Sequence, residues 1–471
     1  MPPAETVAPC NSNSPGASAA RVMLLTLAAT ALAMALQFHN GRLDPFGLAF
    51  MAAGLIACGL ALPLSSSGLP VTPDGKTVER SVWVAVALVM AAQFIRPPGI
   101  YLDVHGYLAR VPFLAGIAAA GALPLFALRS SRPATRGRLR LALLGLLALH
   151  VMLGAWVVRH SPHPIIDVVV FQRDSVAAIL AGHNPYTLTF PNIYEDGSDF
   201  YGPGMSVGGR LQFGFPYPPL SLLLAVPGTV LGGDFRYSQL LAMTGSGALI
   251  ALARGGPLGL AAAALYLFSP RSFFVLEQGW TEPYLVALLA LVVFFACRFR
   301  AGLGVAIGLL LASKQYLILA VPLIPLLRPP EQRSGAPCRW AVSVAAPAIA
   351  VASVLTLPFV LWDPSAFIHD VVALQFHQPF RDDALTFLAA FAYLTGIQLP
   401  SSCAFLAAAL ASWLAWRRCP RTPAGFATAT AFVFFSFFAF NKQAFCNYYS
   451  FVVGALCVAL GAWRQQSDRG C

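Results

Sequence analysis

Five carboxylates, Asp167, Asp174, Glu195, Asp196 and Asp199, fall within one polar stretch, residues 160–218, that sets only Arg173 and Arg210 against them. The stretch opens as HPIIDVVVFQRDSVAAILAGHNPY and closes as FGFPYPPLSLLL. Asp167 and Asp174 are seven residues apart, two turns of α-helix, so a helix here places both on one face. Residues 168–180 have helical apolar spacing, and the Gly182-His183-Asn184-Pro185-Tyr186 turn stops it. A carboxylate on such a short surface helix is poised as a general base. The same spacing also fits an aspartate that merely caps the helix N-terminus.

Other polar islands interrupt long apolar runs. Lys314, in LLLASKQY, is one of three lysines in the chain, with Lys76 and Lys442. A cation at membrane depth is costly and points to a function, such as holding a lipid phosphate; snorkelling to a headgroup is the plainer alternative. Glu277 to Tyr284 reads EQGWTEPY, where Thr281 and Glu282 also suit a helix start ahead of Pro283. His377-Gln378-Pro379-Phe380-Arg381 contains a guanidinium suited to phosphate recognition, and Asn441-Lys442-Gln443 forms a fourth island. No P-loop, dinucleotide fingerprint, HExxH or nucleophile elbow is present. The nine cysteines make no CxxC and none lies in the acidic stretch, so a zinc site is not indicated.

The elements that hold these islands are apolar. The apolar fraction is 58% and the charged fraction 10%, with a mean hydropathy of +0.70, far from the quarter-charged norm of soluble domains. The chain therefore reads as an all-α, polytopic membrane protein in contact with the lipid bilayer. Candidate spans are 22–38, 46–64, 82–95, 111–128 and 139–158 before the polar stretch. After it come 220–231, 239–253, 258–268, 283–297, 303–311, 317–327, 341–361, 404–416, 426–440 and 449–463. Several are short, so about 12–15 membrane segments are expected.

The net charge of +11 resides mostly in arginines flanking these spans, which predicts no nucleic-acid partner. Arg129, Arg132, Arg136, Arg138 and Arg140 crowd one loop and mark it cytoplasmic. Residues 160–218 and 363–383 are then outside, with both termini inside. A transporter or flippase of lipid-linked sugars would also carry polar islands between broken helices, and a cell-surface glycan polymerase or ligase would likewise use a large outer loop.

Taken in order, the islands resemble the GT-C membrane glycosyltransferases, nearest to glycosyltransferase family 87, over residues 140–463. Asp167 directly after a span, Phe171, the 182–186 turn and the Tyr217-Pro218-Pro219 entry match its first motifs. Ser269-Pro270 with EQGWTEP, the small-residue helix ending at Lys314, and NKQAFCNYY follow. Four preceding spans and the order Gln278-Gly279 depart from the family pattern.

The resemblance implies a helical bundle with a large first catalytic outer loop, divided as 1–138 (extra N-terminal helices) and 139–471 (catalytic). It implies transfer of a hexose, mannose-like, from a polyprenyl-phosphate sugar to a glycan or glycolipid hydroxyl on the extracytoplasmic face of a bacterial cell membrane, with inversion. Asp167 would be the base, with Asp174 second choice, and Lys314 and Arg381 would hold the donor phosphate. Asn184, Tyr186, Tyr217, Gln278, Glu282, Gln315 and His377 would contact substrate. No cofactor or metal is expected.

Overall fold

The computed structural model describes residues 15–62, 75–128, 135–194, 200–328 and 337–464. Helices dominate. The first five, α1 (Pro15–His39), α2 (Pro45–Leu60), α3 (Gly75–Ala92), α4 (Val111–Leu128) and α5 (Arg136–Arg159), precede the polar stretch. Within and after it come α6 (Asp167–Leu180), α7 (Pro219–Gly232), α8 (Arg236–Arg254), α9 (Gly256–Leu267), α10 (Ser272–Glu277), α11 (Glu282–Arg298) and α12 (Leu303–Leu311). A 3₁₀ run, Gln315–Leu327, leads to α13 (Pro337–Trp362). The chain ends with α14 (Pro364–Ile368), α15 (Leu374–His377), α16 (Phe387–Thr395), α17 (Ser402–Arg418), α18 (Pro423–Ala439) and α19 (Cys446–Gly461).

The helix starts follow local chemistry. Asp44, Thr135, Thr386 and Thr422 accept hydrogen bonds from the first free amides of α2, α5, α16 and α18. Prolines occupy the first turns of α2, α7, α9, α11 and α18, where no N–H is needed. Buried residues run all round α9, α18 and α19, as expected of helices enclosed by other helices. These three, with α1 and α11, form the main core.

The bundle has two chemically distinct ends. At one, Trp463 Nε1 donates to Ser18 Oγ (2.6 Å), and the Arg298 guanidinium donates to the carbonyls of Leu252 and Ala253. Arg21, Arg254, Arg417, Arg418 and Arg421 lie on helix ends of this side. At the other, interhelical loops interlock: Leu43 N donates to Asp383 O (2.8 Å), Asp103 N to His160 O (2.7 Å) and Arg381 N to Lys442 O (3.0 Å). Polar residues at this end occupy 93–110, 160–218, 269–282 and 363–386. Three helices, spanning 18–39, Arg136–Arg159 and 338–362, are each long and apolar enough to cross a membrane alone, and eight shorter apolar helices accompany them.

One expectation about spans changes, and the expected break between two short segments at Lys314 gains detail. Residues 220–231 do not form a crossing. α7 starts beside Lys314, and its last turn folds back so that Gly228 N donates to Ser238 Oγ (2.7 Å) near the start of α8. Arg236, at that start, bonds Ser161 Oγ and the Glu277 carbonyl, so α7 begins and ends at the polar end, packed on α6. Pro227 and the left-handed Gly233 (φ 75°) explain the short run. At the break, α12 and the 3₁₀ run are two incomplete passes that meet at Lys314. α12 has nine residues, about 14 Å of rise.

The described parts of the 160–218 stretch pack Val170, Phe171, Val176, Tyr186, Phe190 and Phe213 into a second core, which they share with Leu222 and Ala225 of α7, Phe359 of α13 and Phe367 of α14. Three two-residue strands, β1 (Phe190–Pro191), β2 (Ser206–Val207) and β3 (Arg210–Leu211), pair antiparallel in the order β1-β3-β2, with Phe190 opposite Leu211. The helices of residues 1–138 pack directly on the rest: α1 lies on α19, and α3 on α9.

Candidate active site

Asp167 is the first residue of α6, and the preceding Ile166 is its N-cap. The aspartate is thus not the N-cap residue itself, although it does bond one of the free first-turn amides of α6. Its Oδ1 accepts from its neighbour Val168 N (2.7 Å), and its Oδ2 accepts from the Tyr201 hydroxyl (2.9 Å). Burial raises the Asp167 proton affinity; the Tyr201 hydrogen bond, the Val168 amide and the Arg381 charge oppose that rise without cancelling it. The Tyr201 phenol is itself pushed up by burial and by the facing carboxylate. A carboxylate whose proton affinity is raised is suited to accept a proton from a hydroxyl.

Asp174 lies two turns further along α6 and is half-buried, but Arg173 Nε holds its Oδ1 at 2.9 Å in an exposed ion pair. Glu195, Asp196 and Asp199 lie outside the described residues.

A cavity of about 930 Å³ is lined by Tyr201, Phe200 and Asn192 from the first outer segment and by Arg381, Asp383 and Gln398 from the second; Asp167 is not in its wall and connects to it through the Tyr201 hydroxyl. Arg381 is sandwiched between Phe200 and Phe445, 4.4 and 4.8 Å from their ring centres. It forms a two-point ion pair with Asp383, at 2.9 and 3.0 Å. Lys442 is adjacent: its Nζ donates to the carbonyls of Gln378 (2.5 Å) and Phe376 (3.3 Å). It faces no carboxylate among the described residues, and burial lowers its proton affinity. From sequence Lys442 was marked only as part of the fourth polar island, with no phosphate role, because a lysine in a short loop between two spans resembles any flanking cation.

Lys314 occupies a different place from that expected. Its Nζ is held by Glu282 Oε1 (2.5 Å) and Thr281 Oγ1 (3.0 Å). The rings of Tyr217, Tyr316 and Tyr448 surround it at 4.8, 5.4 and 5.6 Å. Glu282 Oε1 accepts also from Asn447 Nδ2 (3.2 Å) and Tyr316 OH (3.3 Å), whereas Oε2 has no partner. A buried ammonium is thus matched by an internal carboxylate, and the full charge expected for a phosphate is already compensated. Tyr217 and Tyr448 lie within electrostatic reach of both Glu282 and Asp167, so this hub forms the floor beneath Asp167.

The remaining expected residues divide. Gln315 Nε2 bridges the carbonyls of Pro216 (2.8 Å) and Val371 (3.0 Å), tying the hub to both outer segments. Tyr186 is buried and its hydroxyl donates to the Tyr217 carbonyl (2.9 Å); Asn184 Oδ1 accepts from Tyr186 N and shapes the turn. Both position Tyr217 and face no cavity. Gln278 belongs to a separate cluster, donating to Glu277 Oε2 (3.0 Å). His377 is exposed on the rim, its Nδ1 turned to Ala373 O (2.9 Å).

The two outer segments are clamped by Asp370, which is buried. Its Oδ2 accepts from Gly214 N (2.8 Å), and its Oδ1 contacts His369 Nδ1 (2.7 Å). A Cβ at Gly214 would meet Tyr186 O at 2.4 Å and Asp370 Oδ2 at 2.6 Å, so only glycine allows the approach. Burial pushes the Asp370 carboxyl up to about 6.

No group of three or more potential metal ligands exists among the described residues. No family model matches the chain, and no curated protein does. Among solved structures it is similar to ArnT from Cupriavidus metallidurans, determined bound to undecaprenyl phosphate. The identity is 17% over 72% of this chain, and the TM-score is 0.44. The match spans 61% of that protein's length, and a superposition of this quality carries no argument about function.

Proposed function

We propose that the chain is an inverting membrane glycosyltransferase that uses a polyprenyl-phosphate hexose, mannose-like, and glycosylates a hydroxyl of a glycan or glycolipid. The observation that carries this reading is the pairing of Asp167 with Tyr201 and Arg381 at one side of a large cavity on the polar end of an apolar bundle. The donor's tail lies among the helices and its sugar enters that cavity. The acceptor oxygen attacks the anomeric carbon as its proton passes to Asp167. The new C–O bond forms while the bond to the phosphate oxygen breaks, and polyprenyl phosphate leaves with one more negative charge than it carried as the diester.

Lys442, which faces no carboxylate among the described residues, supplies positive charge for that developing anion, a contribution worth ~3–4 kcal/mol in comparable oxyanion sites; Arg381, itself paired with Asp383, adds to it only in part. Lys314 keeps Tyr217 and Tyr448 in place and acts through them. The aromatic faces of Phe200 and Tyr201 suit the apolar face of a sugar ring. The polar end is extracytoplasmic, in keeping with the arginines at the opposite end. No protein-bound metal or cofactor enters this scheme.

The test is release of lipid phosphate from a panel of polyprenyl-phosphate sugars by purified protein in nanodiscs, with Asp167→Asn as control. The expected result is release from at least one hexose donor, abolished in the variant. Failure of every donor, with lipid-linked sugar instead translocated in sealed vesicles, would overturn the assignment.

A further inference from the structure

A second cavity, of about 350 Å³, lies at the polar end between the 93–110 loop of the N-terminal helices and the turn from α9 to α10, with its own lining residues. Arg96, His105, Arg110 and Arg271 line it, and no carboxylate does. Arg271 is 5% exposed. Its Nε donates to Gln37 Oε1 (2.8 Å) and its Nη1 to Pro97 O (3.0 Å), both neutral acceptors. Gln37 is fixed in turn, donating to Ala92 O (2.7 Å). The guanidinium is thus rigidly aimed but not neutralised by an ion pair, and no partner holds its Nη2 among the described residues.

The nearest carboxylate, Glu277, has its oxygens taken by Ile100 N (2.8 Å), Tyr101 N (2.8 Å) and Gln278 Nε2 (3.0 Å). Arg96 makes no hydrogen bond or ion pair within the described structure, and its charge reaches Arg271. Arg110 reaches only the Gly106 carbonyl (3.4 Å) and the Tyr107 ring.

Two further observations point to a ligand. Among the described residues the non-glycine positions with positive φ are Asn40 (55°) and Arg271 (67°), and both border this cavity. Asn40 is the left-handed residue that ends α1, whereas Arg271 holds an uncommon left-handed backbone at the cavity wall. The chain next to two of the lining arginines is apolar and exposed: Ile95, 71% accessible, precedes Arg96, and Leu108, 85% accessible, lies two residues before Arg110. Like charges held together need an anion, arginine forks fit phosphate oxygens, and aromatic and aliphatic side chains next to them suit the headgroup boundary of a bilayer.

We propose that this cavity is a binding site for the phosphate headgroup of an anionic lipid, separate from the Asp167 site and contributed largely by the N-terminal helices. The lipid phosphate sits between Arg96, Arg110 and Arg271, and its tails descend past Ile95 and Leu108.

The test uses the purified full chain and a photoreactive phosphatidic acid labelled near its headgroup, with crosslinks mapped by mass spectrometry. Crosslinking to residues 94–110 is expected, competed by unlabelled phosphatidic acid but by neither phosphatidylcholine nor inorganic phosphate. Arg96→Gln with Arg110→Gln should lower it at least tenfold, whereas Arg173→Gln leaves it unchanged. If the double variant is unstable, Arg96→Gln alone reads the same effect, because that side chain holds no other group. Undiminished crosslinking in a folded variant would overturn the site. Equal crosslinking by a photoreactive phosphatidylcholine, or full competition by inorganic phosphate, would overturn its assignment to an anionic lipid. The readout is binding, so it stands apart from any result on transferase activity.

Discussion

Asp167 concentrates the chemistry at the residue scale. Asparagine keeps its shape and removes proton acceptance, so Asp167→Asn should lower turnover ~10²–10⁴-fold with the protein still folded. Asp174→Asn should stay near wild type, since Arg173 is its partner. Tyr201 makes a finer test. Its hydrogen bond lowers the Asp167 proton affinity, so Tyr201→Phe should move the acidic limb of the kcat/KM profile to higher pH. A base must be deprotonated to work, so activity falls as pH drops through its titration, and raising that point moves the fall upward. An unmoved limb would detach Tyr201 from the base.

Lys314 and Glu282 behave as a pair. Removing one partner of a buried ion pair typically costs ~3–5 kcal/mol, whereas an apolar replacement of both is close to neutral. Glu282→Gln should therefore lower the yield of monodisperse protein. Glu282→Gln combined with Lys314→Met should recover a large part of it, measured by size-exclusion chromatography and thermal melting. A double variant as poor as the singles would mean that Lys314 has a demand other than Glu282.

At the scale of elements, the site depends on two outer segments being held together over separate helices. Asp370 on the 363–386 segment reaches Gly214 on the first, and its carboxyl titrates near 6. A raised acid pKa favours the folded state while the group is protonated. The Asp370 contribution is therefore fullest at acid pH and is lost as pH rises through about 6. Asp370→Asn keeps an acceptor for Gly214 N without the charge. Its protection of the outer segments against limited proteolysis, relative to wild type, should be greater at pH 7.5 than at pH 5. Equal ratios at both values would show that Asp370 does not titrate in this window.

Across the whole molecule, one end carries the arginines and the other the interlocked polar loops. Cysteines placed at His183 and Arg300, in a background without the nine native cysteines, should label from opposite sides of sealed vesicles. Both positions are exposed and lie at opposite ends of the bundle. Labelling of both from the same side would contradict the two-ended arrangement. Glu277 unites the N-terminal helices with the rest by accepting amides of Ile100 and Tyr101, and Gln93 Nε2 does the same by donating to the Phe268 and Ser269 carbonyls. The added helices are consequently part of one core.

Much of this was legible in the amino-acid order. Apolar runs about one bilayer long dictate helices, because only internally hydrogen-bonded backbone survives in hydrocarbon. Asp167 stood out because a carboxylate directly after such a run is rare, and the 182–186 turn announced itself through Gly and Asn-Pro. What the order of residues could not decide was pairing across distance. Lys314 looked like a free cation because Glu282, 32 positions away, is brought to it only when α11 and α12 pack. The role of Lys442 and the cavity of Arg96, Arg110 and Arg271 were invisible for the same reason. A charge has a chemical meaning only through what lies within a few ångströms of it, and those neighbours are assembled by tertiary structure.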